Sequence, residues 1–261
     1  MTTNVTVARQ MVGAELLRLR KKRGLMVLAL AAVMVPLVVW TGYEVIEHAG
    51  NPAAYAPAGG LDHYARFLSL LGVFMGPVAA VLIGAEAGAG DLAAGVFRDN
   101  VLTGRSRMAL FLSRIPAALV VTFTVIAIGF AFAVAVTFAF AGGLPTPSGS
   151  LILESAAWLA LANGVVCVIA IGLASLTGSR PGAITALIGW ELMLSPLLVQ
   201  STSLGSARNG LLDGVLLFLK PGPVSGAPVL TMAVAVAVAV TALWAAVLPA
   251  LGARRMQTRD A

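Results

Sequence analysis

The chain has 261 residues, of which 59% are hydrophobic and only 11% charged, and its mean hydropathy is +0.95. An ordinary soluble domain carries about 25% charged residues, so this sequence has too little polar surface to cover in water the cores its length would build, and lipid is its expected solvent. The formal net charge of +6 does not point to nucleic acid, because the basic residues gather at the ends of apolar runs with no aromatic residues between them, as topology determinants and anionic-lipid contacts do.

Residues 5–22 place Val5, Ala8, Val12, Leu16 and Leu19 at helical spacing, with Arg9, Gly13, Arg20 and Lys22 elsewhere, which predicts an amphipathic helix in the headgroup plane. A helix needs about 20 apolar residues to cross about 30 Å of hydrocarbon. Six runs meet that need, at about 25–42, 66–85, 113–141, 151–176, 181–200 and 228–251. The basic head before the first run extends to Arg23, and no small-residue cleavage site follows Trp40, so that run is expected to be an uncleaved anchor.

Three connections stand out. The loop 43–65 is rich in Gly, Pro and small residues and holds both histidines, His48 and His63, as solvated loop residues. Residues 86–112 form a charged, glycine-containing connection between the second and third runs. Within it Asp91 and Arg98 lie two helical turns apart on one face, and Gly104 ends or bends that helix before Ser106 and Arg107. The stretch LLDGVLLFL at 211–219 is too short to span and precedes Pro221, Gly222 and Pro223, which predicts a re-entrant or interfacial helix. In the last run VAVAVAV alternates in size but not in polarity, so it belongs to a helix and not to a barrel strand. The expected fold is a single all-α transmembrane domain.

Lys and Arg mark one side of the bilayer. Arg9 to Arg23, then Arg98, Arg105, Arg107 and Arg114, then Arg180, then Arg254, Arg255 and Arg259 fall on it, against Arg66, Arg208 and Lys220 on the other. Both termini are therefore expected to be cytoplasmic.

Catalytic chemistry has little to be built from. None of the three lysines precedes Ser or Thr, so no phosphate loop exists; H-E-x-x-H, C-x-x-C and G-x-S-x-G are also absent. No metal site is expected, and the lone Cys167 reads as a small buried hydrophobe. Charges inside spans are costly and functional by default. Glu191 is the deepest, a candidate for a substrate path or for a hydrogen-bonded position in the bundle, and Ser195 and Pro196 after it are expected to kink its helix. Asn163 is a mid-span candidate for pathway or bundle glue. Glu154 reads as interfacial, and Gly164, Gly172, Gly178 and Gly189 as packing residues. No converging pair of acids is visible in the sequence.

The spacing Asp91-x3-Gly95-x2-Arg98-x5-Gly104-x-Ser106-Arg107-x6-Arg114 resembles the loop between the second and third spans of bacterial type-2 ABC transporter permeases. That loop typically reads acid-x3-G-T-x-R, then G or P, then S-R and a lysine in the next helix. The opening Glu15-Leu-Leu-Arg18-Leu-Arg20 is similar to the family's amphipathic N-terminal helix, and the six-span layout covers nearly the whole chain. Val96 stands where the family has Thr, Asp91 where Glu is commoner and Arg114 where Lys is usual.

The resemblance implies a non-enzymatic permease subunit of an exporter in the bacterial cytoplasmic membrane. A coupling helix in this loop would dock a separate ATPase, present in two copies, which carries the ATP and Mg. A second permease copy or a sister permease would complete the pathway, and the cargo would be amphipathic or hydrophobic, a drug, antibiotic or lipid, as in drug-resistance efflux. An importer permease would need E-A-A-x3-G, whereas Glu86-Ala87 is followed by Gly88. The alternatives are an ion-coupled carrier, for which Glu191 alone is the basis, and a membrane-embedded enzyme.

Overall fold

The computed structural model describes residues 2–93, 106–222 and 230–258. An opening helix α1 (Thr2–Lys21) turns at Lys22 into α2 (Arg23–Gly50). The second long rod has three pieces, α3 (Gly60–Ser69), a π-helical turn at Leu70–Phe74 and α4 (Met75–Ala93). Two uninterrupted helices follow, α5 (Arg107–Ala139) and α6 (Gly149–Thr177), whose first turns are capped by Ser106 and Ser148 hydroxyls accepting from the Ala109 and Leu151 amides. The fifth rod is α7 (Arg180–Gly189), a second π turn (Trp190–Leu194) and α8 (Ser195–Gln200). A 3-10 stretch (Thr202–Gly210), the short α9 (Leu212–Phe218) and the last long helix α10 (Val234–Thr258) complete the description.

Six of these rods are long and apolar enough to cross a membrane: Arg23–Gly50, Gly60–Asp91, Arg107–Ala139, Gly149–Thr177, Arg180–Gln200 and Val234–Thr258. The chain is an all-helical, multi-pass membrane protein with no strand among the described residues. Each expected run has its helix, and the differences lie at the ends. The connection read as 43–65 shrinks to residues 51–59, because α2 continues to Gly50 and α3 begins at Gly60. The last helix starts at Val234 instead of 228 and continues to Thr258. The second rod runs to Ala93 instead of 85, which takes Glu86 and Asp91 out of the connection and into the helix. Ser195 and Pro196 do follow a break in regularity, but the break is a widened π turn, and Pro196 sits in the first turn of α8, where its missing amide is not needed.

Crossings alternate, so Lys22, Asp91, Arg107, Arg180 and Thr258 share one end of the bundle, and Gly50, Gly60, Ala139 and Gly149 the other. Ion pairs and hydrogen bonds connect neighbours at the first end, from Lys22 to Glu86 and from Arg107 Nη1 to the Gln257 carbonyl. At the second, the Leu61 amide donates to the Pro145 carbonyl.

The centre of the bundle is the pair α4 and α6. Lipid tails are as apolar as leucine, so helices there associate through close packing and small residues. A Cβ on Gly84 would lie 2.5 Å from the Cys167 carbonyl oxygen, and one on Gly88 2.5 Å from that of Ile171, so these two glycines one turn apart let the backbones touch. The second close crossing joins α6 to α10, where a Cβ on Gly252 would lie 2.5 Å from the Gly172 carbonyl oxygen. Gly172 thus packs as expected, and a Cβ on Gly164 would lie 3.3 Å from the Phe123 ring. Gly178 instead ends α6 in the left-handed conformation, with φ of 69°, and Gly189 faces open space.

The outer helices present narrow buried faces. In α2 only Leu25, Ala29, Val33, Leu37 and Thr41 are buried, one stripe repeating every four residues. The short α9 is held from three sides. Trp158 Nε1 donates to the Leu216 carbonyl at 2.8 Å, Trp244 Nε1 to the Gly210 carbonyl just before it at 3.1 Å, and Lys220 Nζ just after it reaches Ser69 Oγ and the Ala65 carbonyl at 2.6 and 3.2 Å. Burial pushes the Lys220 ammonium below its ordinary value.

Candidate functional site

At the basic end, acids of the second rod lie among bases from α1, α5, α7 and the α1–α2 junction. Glu86 and Asp91, 0% and 3% exposed, project from α4, where the apolar pattern would put hydrophobic side chains. Glu86 pairs with Lys22, at the junction of α1 and α2, and with Arg180 Nη1 of α7 at 2.7 Å. Asp91 pairs with Arg18 of α1 and with Arg114 Nη2 of α5 at 2.8 Å. Arg114 is 1% exposed, and its Nη1 donates to the Gly88 carbonyl at 3.0 Å. That carbonyl also accepts from Ser175 Oγ of α6 at 3.0 Å. Glu15 extends the chain of charges to Arg18 at 3.1 Å.

The sequence placed several of these residues correctly by type and wrongly by setting. Asp91 and Arg107 are expected in the charged connection and Arg114 in the helix after it; Arg114 does lie in α5, while Asp91 lies in α4 and pairs with it in the buried space between two rods. A buried carboxylate without a partner is expensive; here Arg18 and Arg114, 73 residues below and 23 above it in the chain, supply the charge. Arg107 opens α5 and bonds to α10 through the Gln257 carbonyl at 3.2 Å. Ser106 is exposed and caps α5, and Arg20 is exposed on α1. Gly95, Arg98 and Gly104, and the short helix expected to carry them, lie outside the described residues.

Midway along the rods lies a second polar locus. Asn163 of α6 donates from Nδ2 to the Leu71 carbonyl at 3.3 Å, inside the first π turn, and to the Leu159 carbonyl of its own helix at 2.9 Å. It is bundle glue between the fourth rod and a widened turn of the second. The two π turns touch, and the second carries Glu191, 3% exposed. Facing Glu191 at hydrogen-bonding range is Asp213 of α9, which also approaches Ser195. This convergence of two acids corrects the expectation that no such pair exists. Both carboxyls are buried, and among the described residues no base pairs with either acid.

Glu191 also lines a cavity of about 220 Å³ between α6, the fifth rod, α9 and α10, whose other walls include Ile169, Leu212, Leu248 and the indoles of Trp190 and Trp244. The two rings stand 6.4 Å apart, tilted by 38°. A larger cleft of about 360 Å³ opens at the opposite end of the bundle, among Tyr43, Glu44, Glu47, Tyr55, Asp62 and His63. There His63 is not the solvated loop residue expected. It is 5% exposed in α3, with Nδ1 on Glu44, which also meets Arg66.

No group of three or more metal-ligating side chains occurs among the described residues. Glu154 is exposed near the start of α6, as its place in the sequence implies. The chain matches no model of a known protein family and no curated protein.

Proposed function

We propose that this chain is the membrane-spanning permease subunit of an ATP-driven ABC exporter. The observation that carries the reading is the spacing Asp91-x3-Gly95-x2-Arg98-x5-Gly104-x-Ser106-Arg107-x6-Arg114, and the setting of its two flanks supports it. Asp91 on the one side and Arg114 on the other are joined through a buried ion pair, and Arg18 ties α1 to the same carboxylate. A force applied to residues 94–105 would therefore pass into the second and third rods and into the N-terminal helix together. Coupling of a docked ATPase to helix movement needs this stiffness.

In this reading the basic end faces the cytoplasm of a bacterium, with both termini inside. The chain has no phosphate loop, so two copies of a separate ATPase bind the ATP and Mg, and a second permease, identical or sister, completes the path. Helix α1 lies along the headgroups, the connection that carries Gly95 and Arg98 docks the ATPase, and α9, seven residues long and held inside the bundle, is the re-entrant piece before the last span. The cargo is amphipathic or hydrophobic. Co-purification from the native membrane tests the docking: the wild-type chain should bring down an ATPase subunit in a stable complex, and replacing Gly95 and Arg98 should abolish both the complex and export. Intact binding and export in that variant would remove the docking assignment.

The Glu191–Asp213 pair favours a second reading, an ion-coupled carrier, because buried ionisable side chains inside spans mark proton and ion pathways. Transport by this chain alone, driven by a proton gradient, would select it.

A further inference from the structure

We propose that the cavity beside Trp190 and Trp244 binds an amphipathic monocation, with the Glu191 and Asp213 carboxyls as its counter-charge. The site is built from three independent features. The first is charge: Glu191, 3% exposed, lines the cavity, and Asp213 stands at hydrogen-bonding range from it. Two facing carboxyl groups in a dry interior cannot both ionise, so the pair presents at most one negative charge, and no base in the described residues neutralises it. The ligand that balances it carries one positive charge.

The second feature is the aromatic pair. Indole faces attract cations, a quaternary ammonium most of all, since it is poorly hydrated and offers no hydrogen bonds to lose. Trp190 adjoins Glu191 in the same π turn, and Trp244 holds its orientation by donating Nε1 to the Gly210 carbonyl at 3.1 Å. The third is size and lining. About 220 Å³ walled by Ile169, Leu212 and Leu248 accommodates a head the size of a trialkylammonium with one ring. Close in sequence to its lining residues Glu191, Trp244 and Leu248, Met193, Leu194, Leu243 and Val247 are exposed apolar side chains along which a tail would run into lipid. A dianion, an anion or a strongly hydrated metal ion suits none of these walls.

The π turn explains how Glu191 reaches this place. An extra residue in the turn rotates the following side chains relative to a regular helix, so Trp190 and Glu191 both meet the cavity while Met193 faces outward.

This inference names the cargo class of the export reading and rests on it only for what happens after binding. Binding by the isolated chain in lipid nanodiscs, with no ATPase present, therefore tests the cavity separately from the docking. The probe is benzyltrimethylammonium, measured by equilibrium dialysis beside neopentylbenzene, its uncharged isostere with carbon in place of nitrogen. Saturable binding of the cation at one site per chain is expected, with no saturable binding of the isostere. E191Q should weaken the cation at least about tenfold, because truncating one member of a desolvated charge pair is costly, and W244F about threefold through a weaker ring face. Equal saturable binding of cation and isostere, no saturable cation binding, or unchanged affinity in a folded E191Q would each overturn the proposal. Were E191Q not to fold, the comparison of the two ligands on the wild-type chain decides alone.

Discussion

The basic end of the bundle and the middle of its fifth rod bury acids in opposite ways. At the basic end each carboxylate sits between bases, Glu86 between Lys22 and Arg180, Asp91 between Arg18 and Arg114. In the fifth rod Glu191 meets another acid, Asp213, which in turn approaches the Ser195 hydroxyl, and no base among the described residues pairs with either. Charges compensated by partners from distant helices act as fasteners, holding α1, α4, α5 and α7 in one arrangement. Charges left uncompensated in a dry place cost stability and persist where something else supplies the missing partner for part of the working cycle. The same residue type thus serves rigidity in one region and reception in the other.

Substitutions at the two loci should separate in sign as well as size. Asp91→Ala strands Arg114, 1% exposed, beside an empty carboxylate position, and loss of one partner of a buried pair costs about 3–5 kcal/mol. Most of the folded protein should disappear, read as the monodisperse fraction in detergent chromatography. Gly252→Val forces a side chain to within 2.5 Å of the Gly172 carbonyl, an overpacking cost of about 1–3 kcal/mol, visible as a lower thermal midpoint with α10 released from α6.

Asn163→Ala removes the amide that bonds the Leu71 carbonyl in the first π turn. A hydrogen bond between helices in a membrane contributes about 0.6–1.7 kcal/mol, so its loss should lower the thermal midpoint modestly. Glu191→Gln breaks the trend. It removes an acid that has no base, and the thermal midpoint should stay level or rise by the equivalent of up to about 1 kcal/mol. A fall as large as that of Asp91→Ala would erase the contrast between the two regions and make Glu191 another fastener.

Much of the fold is readable in the sequence because lipid-crossing helices announce themselves by length and composition, and each expected span has its rod. The ends were harder, for a definite reason. Glu86 and Asp91 look like markers of a connection when only neighbours in sequence are considered, and they become helix residues because Lys22, Arg18, Arg114 and Arg180 come to them from elsewhere. His63 was misread in the same way, its partner Glu44 lying on the preceding helix. The π turns have no residue signature and were missed. The acid pair left one trace, Asp213 as the lone charge in LLDGVLLFL, but its meeting with Glu191 depends on α9 folding back into the bundle, which Trp158, Trp244 and Lys220 secure through bonds to backbone and side chain.

The driving force decides most directly between a powered permease and a carrier. Liposomes holding this chain with or without its proposed ATPase partner, loaded with benzyltrimethylammonium and ATP in turn, report which energy source moves the cation. Export is expected only when the ATPase is present and ATP is hydrolysed, and it should persist after the proton gradient is collapsed. Movement by the chain alone, following an imposed proton gradient and indifferent to ATP, would contradict the permease assignment and leave Glu191 and Asp213 as the centre of an ion-coupled carrier.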